Sequence, residues 1–473
     1  MKKISNFLIM LLVLFVTTSH SQTINDALRL AFPGLGSSAR ALGMGNAYNA
    51  LSYDYSGSLF NPAGLGTASN LEFSGSFIYN SLDNNTDFFG TQSDFTNNST
   101  NLSQVGFVFP MPTAQGSLVF GLGFNQSKNF NSAVKFDGFN DGNTSMIQSL
   151  LGFGDVSYQL YLTDTTGTQT PINGRLNQSG DIIDEGKLNN WALSGAIEVA
   201  KGVFVGGTLN IISGNYKSDR RYYEDDTRNT YNSSVWTDPS EPFTADFQSF
   251  YVNDVLDWDI SGWDFKFGLL YRFPQFLKIG ATIKFPTQYT IKEKYYVEAR
   301  SEFGTGTSVD MDPILNEIEY DITTPYEFTG AIAYEIAGLT LSAEGTFIDY
   351  TQMEFGDGLD AGLVSQNNRD IKSVFRSVLN YNVGLEYKLP YPFVSLRGGF
   401  IMQPSAYDND PSEFNRKYFT AGIGLMPNKT LSLDLAYARG WWQNIGDNYG
   451  VNDSRTYQDI TTDNFIMTIK YLF

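Results

Sequence analysis

The carboxy terminus reads DNFIMTIKYLF (463–473). Phe465, Met467, Ile469, Tyr471 and Phe473 fall on one face, and Asn464, Thr468 and Lys470 on the other. Successive side chains of a strand point to opposite faces, so this stretch is a strand with one apolar and one polar side. Working back along the chain, the same alternation marks fourteen segments: 71–79, 103–110, 117–125, 190–199, 203–214, 261–272, 276–287, 325–335, 338–349, 380–388, 393–403, 416–425, 431–440 and 463–473. Ten residues at ~3.3 Å each, tilted near 45°, rise roughly 23 Å, the height of an outer-membrane apolar band.

The connections support that reading. Six are short: 111–115, 200–202, 273–275, 336–337, 389–392 and 426–429. Those between them are longer, including 126–189 and 215–260. Short periplasmic turns alternating with long outer loops on an even strand number describe an all-β, 14-stranded antiparallel transmembrane β-barrel, with both chain ends on the periplasmic side. Closure removes the unpaired edges that lipid would penalise. The terminal aromatic Phe473 looks like the signal read by the barrel insertion machinery, a first expected partner.

The amino terminus specifies the compartment. Lys2 and Lys3 precede FLIMLLVLFV (7–16), a run too short to span a bilayer, and Ser19-His20-Ser21 supplies small residues before Gln22. Residues 1–21 therefore read as a cleavable signal peptide rather than a retained anchor. After that cut no stretch approaches ~18 apolar residues, which excludes helical spans. Losing Lys2 and Lys3 takes the net charge from −19 to −21, so nucleic acid is not an expected partner. Cysteine is absent and His20, the single histidine, leaves with the signal. The mature chain cannot build a Ser-His-Asp triad, a thiolate nucleophile or an imidazole-held zinc, and is not read as an enzyme. No cofactor or metal is assigned: DGFNDGN (137–143) and YEDDTRN (223–229) are rich in oxygen ligands, but neither completes an EF-hand loop.

Charges on the non-lipid faces, among them Asp264, Lys266, Lys284, Glu327, Glu344, Glu386, Arg397 and Asp434, require a wet lumen. They either solubilise that lumen or pair across it. Tyr222, Tyr223, Trp441 and Trp442 lie near strand ends, where they form an interfacial girdle or contact a ligand. Fourteen strands at ~4.8 Å spacing enclose a barrel of roughly 14 Å radius, too wide for side chains alone to fill. Residues 22–70 precede the first strand and are rich in glycine and small residues, so they are the expected filling; 71–473 form the barrel and its long outer loops.

Within that segment, SARALGMGNAY (38–48) followed by LFNPAGLG (59–66) resembles the start of the FadL/TodX family of outer-membrane transporters for long-chain fatty acids and other hydrophobic compounds. The likeness extends to 324–350 and 379–400, about half the chain. It implies a fourteen-stranded barrel closed by an amino-terminal hatch, to which Gly43, Gly45, Asn61, Pro62, Ala63 and Gly64 belong here. It further implies passive uptake of a hydrophobic ligand, released sideways through the wall or along the axis when the hatch shifts.

In TSMIQSLLGFGD (144–155), Met146, Ile147, Leu150, Leu151 and Phe153 gather apolar surface within a long outer connection, for ligand capture or for packing onto the barrel rim. Two rival functions stand beside uptake. One is a general polar porin, favoured by the charged lumen. The other is a PorV-like partner of secretion proteins, since FadL-like barrels include such members. Outer-membrane lipid is an expected partner under every reading.

Overall fold

A computed structural model describes residues 22–151, 156–238, 241–273, 276–390, 393–447 and 454–473. Residues 1–21, expected from sequence to be a signal peptide, and Phe153 lie outside the described residues. Among the described residues, fourteen antiparallel strands close into one barrel. They are β1 (Glu72–Phe88), β2 (Thr91–Met111), β3 (Leu118–Asn129, continued by Ser132–Asn140), β4 (Leu176–Ala200) and β5 (Val203–Asp225). Next come β6 (Phe247–Arg272), β7 (Leu277–Lys284, continued by Gln288–Phe303), β8 (Ile314–Thr323, continued by Glu327–Ile336) and β9 (Leu339–Asp349). The circuit ends with β10 (Ser377–Lys388), β11 (Val394–Gln403), β12 (Arg416–Leu425), β13 (Leu431–Asp447) and β14 (Arg455–Leu472). Pairing of Glu72 with Leu472 through Asp87 with Tyr457 shuts the ring.

The alternation sorts side chains as the two solvents require. Every strand turns large apolar residues outward, such as Phe77, Leu122, Leu193, Ile211, Trp263, Leu379 and Phe419. A continuous outer belt of that kind is untenable in water and fits hydrocarbon. No helix among the described residues is long and apolar enough to cross a membrane. The inward positions carry Ser, Thr, Asn and the paired charges.

The short turns lie where expected. In the β8–β9 turn Ala337 (φ 48°) and Gly338 (φ 84°) take left-handed conformations, the two-residue geometry that matches strand twist. At the opposite end the long connections are mostly strand. β1 and β2 run on to a tight turn at Phe89-Gly90, and β5 and β6 extend through 225 and from 247. These extensions stand in water, so they lose the apolar face that marks a strand in sequence.

One expectation is overturned. Phe473 N donates to Leu71 O, close to the short turns. The amino end of the described chain, however, lies in the loop-side half: Asn367 Nδ2 donates to Gln22 O (3.3 Å) and the Gln22 side chain bonds Glu293. From there residues 22–70 descend against the inner faces of the strands. Helix α1 (Ile24–Ala31) comes first, amphipathic and N-capped by Thr23. Its Ala27, Leu30 and Ala31 pack with Trp258, Tyr320, Tyr350 and Ile371 in a core above the membrane belt.

Candidate functional site

Below α1 the segment is almost wholly buried and is held by polar contacts. Ser38 caps a short helix, α2 (Ala39–Gly43), by accepting from Ala41 N. Gly43 abuts Gly422 and Arg397, and Gly45 (φ 61°) leaves no room for a side chain: a Cβ there would lie 2.7 Å from Phe400 N. Asn61 caps the turn Pro62–Thr67, its Oδ1 accepting from Ala63 N at 3.0 Å. Its Nδ2 donates to Asn49 O and to Leu269 O of β6, both at 3.0 Å. Pro62 suits the first turn because it has no N–H to satisfy there. Ala63 packs with Phe204 and Leu270, and Gly64 lies against Ser52. The structure thus brings Gly43, Gly45, Asn61, Pro62 and Ala63 against the barrel wall, whereas Gly64 packs within the segment itself.

The lumenal charges reach the same segment. Arg40 pairs with Glu386 (Nη2–Oε1 2.9 Å), which also holds Arg397 (2.7 Å); Arg397 then bonds Asp434 (2.6 Å). Lys470 joins Asp54 at 2.8 Å and approaches Asp434 at 3.7 Å. Burial alone would raise the Asp54 carboxyl, but Lys470 and Arg40 outweigh it and hold the group at about 2. Glu344 accepts from Tyr48 N and Asn49 N, and Lys266 donates to Leu59 O. Arg40, Glu386, Arg397, Asp434, Asp54 and Lys470 are tolerable this deep because each is paired, and Glu344 and Lys266 rest on backbone groups instead; removing one partner of a buried pair costs about 3–5 kcal/mol. These charges pair with the segment inside the barrel and between nearby strands, not across the barrel.

Two cavities flank the upper part of the segment. The larger, about 580 Å³, is lined by Leu28, Phe32, Ile78, Phe130, Tyr418 and Trp442 together with Arg29, Lys128, Arg416 and several amides. The smaller, about 180 Å³, lies on the other side and is polar, with Asp264, Lys266, Lys284, Glu327 and Glu344. Phe32, Pro33, Gly34 and Gly36 line both, so this stretch is the partition between them. Trp442, placed by sequence near a strand end, faces the larger cavity, whereas Trp441 stacks outside on Phe419. Tyr222 and Tyr223 divide in the same way, Tyr222 into the core and Tyr223 against Tyr251.

The wall beside the larger cavity is unzipped. β2 and β3 pair from Met111↔Leu118 up to Gln104↔Asn125 and no further, although β2 continues to Thr91 and β3 to Asn140. β3 shifts register between Gln126 and Lys128 and breaks at 130–131. Side-chain bridges replace the ladder: Asn97 Nδ2 to Ser132 O (3.0 Å) and Asn129 Nδ2 to Ser99 Oγ (3.0 Å). Asn97, Ser103 and 126–132, from both margins, line the cavity. The seam opens beside Leu102 and Trp191, at the top of the outer apolar belt.

The apolar loop nominated from sequence folds over the outer end. Met146 and Ile147 are buried in a core with Phe88, Phe136, Tyr222 and Phe250, while Leu150 and Leu151 are half-buried. Glu224 of β5, well above the belt, anchors them by accepting from Met146 N (2.8 Å) and Ile147 N (3.3 Å). Burial pushes its carboxyl up to about 7 despite those donors and Gln178. The two oxygen-rich stretches meet as Arg228 on Asp141 (2.7 Å), and Asp226 accepts from Thr230 N. A second cover, helix α3 (Ala361–Val374), was not foreseen; its signals were the Asp360 cap and the spacing of Asn367 and Ile371, both buried.

No protein-family model matches the chain, and no curated protein matches it by sequence. Solved structures do match. The toluene transporter TodX of P. putida superposes with a TM-score of 0.58 at 15% identity over 93% of this chain and 99% of that one. A Pseudomonas aeruginosa FadL homologue gives 0.56 at 13% identity, again over 93% and 99%. The toluene transporter TbuX of Ralstonia pickettii gives 0.50 at 14% identity over the same shares. Likeness at such identities is likeness of fold: this chain folds as the barrels of those transporters and of that FadL homologue do.

Proposed function

We propose that the chain is an outer-membrane channel for passive uptake of hydrophobic compounds such as long-chain fatty acids, with residues 22–70 as its hatch. The observation that carries this reading is the seam between β2 and β3, which opens into the 580 Å³ cavity at the upper edge of the apolar belt. A hydrophobic ligand entering from outside finds there an amphipathic chamber with an exit toward lipid. The axial way down leads instead into a small cavity lined by charges, where an apolar chain would lose free energy. Release is therefore sideways. Open backbone in pure hydrocarbon would be costly, and the seam's height places it where headgroups and water can satisfy those groups.

The hatch works by differential affinity. Residues 38–66 are pinned by the ion pairs and Asn61, so the part that yields is the partition 32–36. A ligand shifts that partition only by the free energy with which it prefers the displaced state. Leu150 and Leu151, half-buried at the outer end, are proposed to meet the ligand first. No bond chemistry is assigned to the chain.

The seam supplies the test. The chain has no cysteine, so Ser99→Cys with Asn129→Cys places one pair across the gap. Uptake of radiolabelled oleate by cells carrying only this variant should stop on oxidation and return with reductant. Uptake indifferent to the cross-link would reject lateral release, and no dependence of any hydrophobic uptake on the gene would reject the function.

A further inference from the structure

Three cations line the larger cavity, and two are already engaged. Arg29 pairs with Asp26, and Lys128 Nζ donates to the carbonyls of Arg29 and Leu30 at the end of α1. Arg416 differs. It hydrogen-bonds the Tyr418 side chain but forms no ion pair with any carboxylate among the described residues, and its guanidinium carbon lies 4.2 Å from the Phe32 ring centre and 4.8 Å from that of Trp442. Phe32 also stacks on Tyr350, ring centres 6.4 Å apart. A strand cation thus grips, by its face, the aromatic residue that begins the partition between the two cavities.

Resting on the uptake reading, we propose that Arg416 is a latch that couples recognition of an anionic headgroup to release of the partition Phe32–Gly36. Stacking uses the flat faces of the guanidinium and leaves N–H groups at its edge for a carboxylate. The attraction between cation and ring depends on the net positive charge beside the ring. A carboxylate docked on Arg416 neutralises that charge, weakens the hold on Phe32 and frees the glycine-containing stretch behind it. A neutral hydrophobic compound fills the same chamber but leaves the latch shut. Arg416 is therefore a positioning and selectivity residue, and Phe32 the element it controls.

The test uses the full-length protein in detergent with a single reporter, Leu35→Cys, which lines the same cavity. The probes are cis-parinaric acid and its methyl ester, with maleimide labelling of the reporter as readout. With Arg416 present, the acid should speed labelling at least tenfold while the ester does not. Arg416→Gln should label fast without ligand and bind acid and ester equally, losing about tenfold in affinity for the acid alone. Arg416→Lys keeps the charge but not the planar stack, so it should keep the acid preference and label, without ligand, at a rate between those of the parent and Arg416→Gln. Trp442→Leu, removing one face of the sandwich, should fall between. If Arg416→Gln keeps both the acid preference and ligand-dependent labelling, the latch is wrong although uptake stands. If protein with Arg416 intact binds neither probe, the uptake reading itself fails.

Discussion

Asn61 shows how much one side chain can organise. It is completely buried and satisfies two carbonyls and one amide, tying the turn at 61–67 to its own upstream loop and to β6. Asn61→Ala leaves those groups unpaired, at a cost of about 1–3 kcal/mol. The expected result is proteolysis within 38–66 at lower temperature than in the parent, with the strands still resistant. Glu224 is the corresponding anchor of the outer cap. Its folded carboxyl sits at about 7 against the ordinary 4.5, so the native state prefers the protonated form. Its contribution is complete below about 4.5 and is lost as pH rises through about 7. Hydrogen-exchange protection across the cap, residues 141–151 and 156–175, corrected for the intrinsic base catalysis of exchange, should accordingly fall between pH 5 and pH 8, following that titration. The Glu224→Gln variant should lose this dependence; an unchanged slope would assign it to another group.

At the scale of elements, the wall and the segment inside it are fitted to each other by glycine. A Cβ on Gly268 would lie 2.1 Å from Asn61 Oδ1, and one on Gly206 2.5 Å from the carbonyl carbon of Pro62. Gly330, by contrast, has nothing within 4 Å of that position. Gly206→Ala and Gly268→Ala should therefore displace 59–68 and raise single-channel conductance, whereas Gly330→Ala should not. Equal conductance in all three would show that the wall glycines do not position the segment. The membrane portions of these strands were plain in sequence because lipid on one side and lumen on the other enforce a two-residue period. Their extensions were not. In Asp83, Asn85, Thr96 and Asn98 both solvents are water, the contrast vanishes, and the chain reads as loop.

For the whole molecule, the ion pairs make the barrel and its filling one mechanical unit. Lys470→Met would leave Asp54 buried without its main partner, a loss of about 3–5 kcal/mol. The Asp54 carboxyl should then rise from about 2, and the lumen should open, measured as a larger and noisier pore current in planar bilayers. An unaltered current would mean that the remaining contacts hold the segment without this pair. The sequence by itself determined the number of strands, which faces meet lipid and where the short turns lie, and it raised the expectation that 22–70 fills the lumen. These follow from local patterning and from the width of a fourteen-strand ring. Only the tertiary structure decided that the described amino end lies in the loop-side half, that the β2–β3 ladder stops at Gln104, and that Phe32, Arg416 and Trp442 meet. Such contacts join residues far apart in the chain, and no local period records which lumenal side chain will face which once the sheet closes.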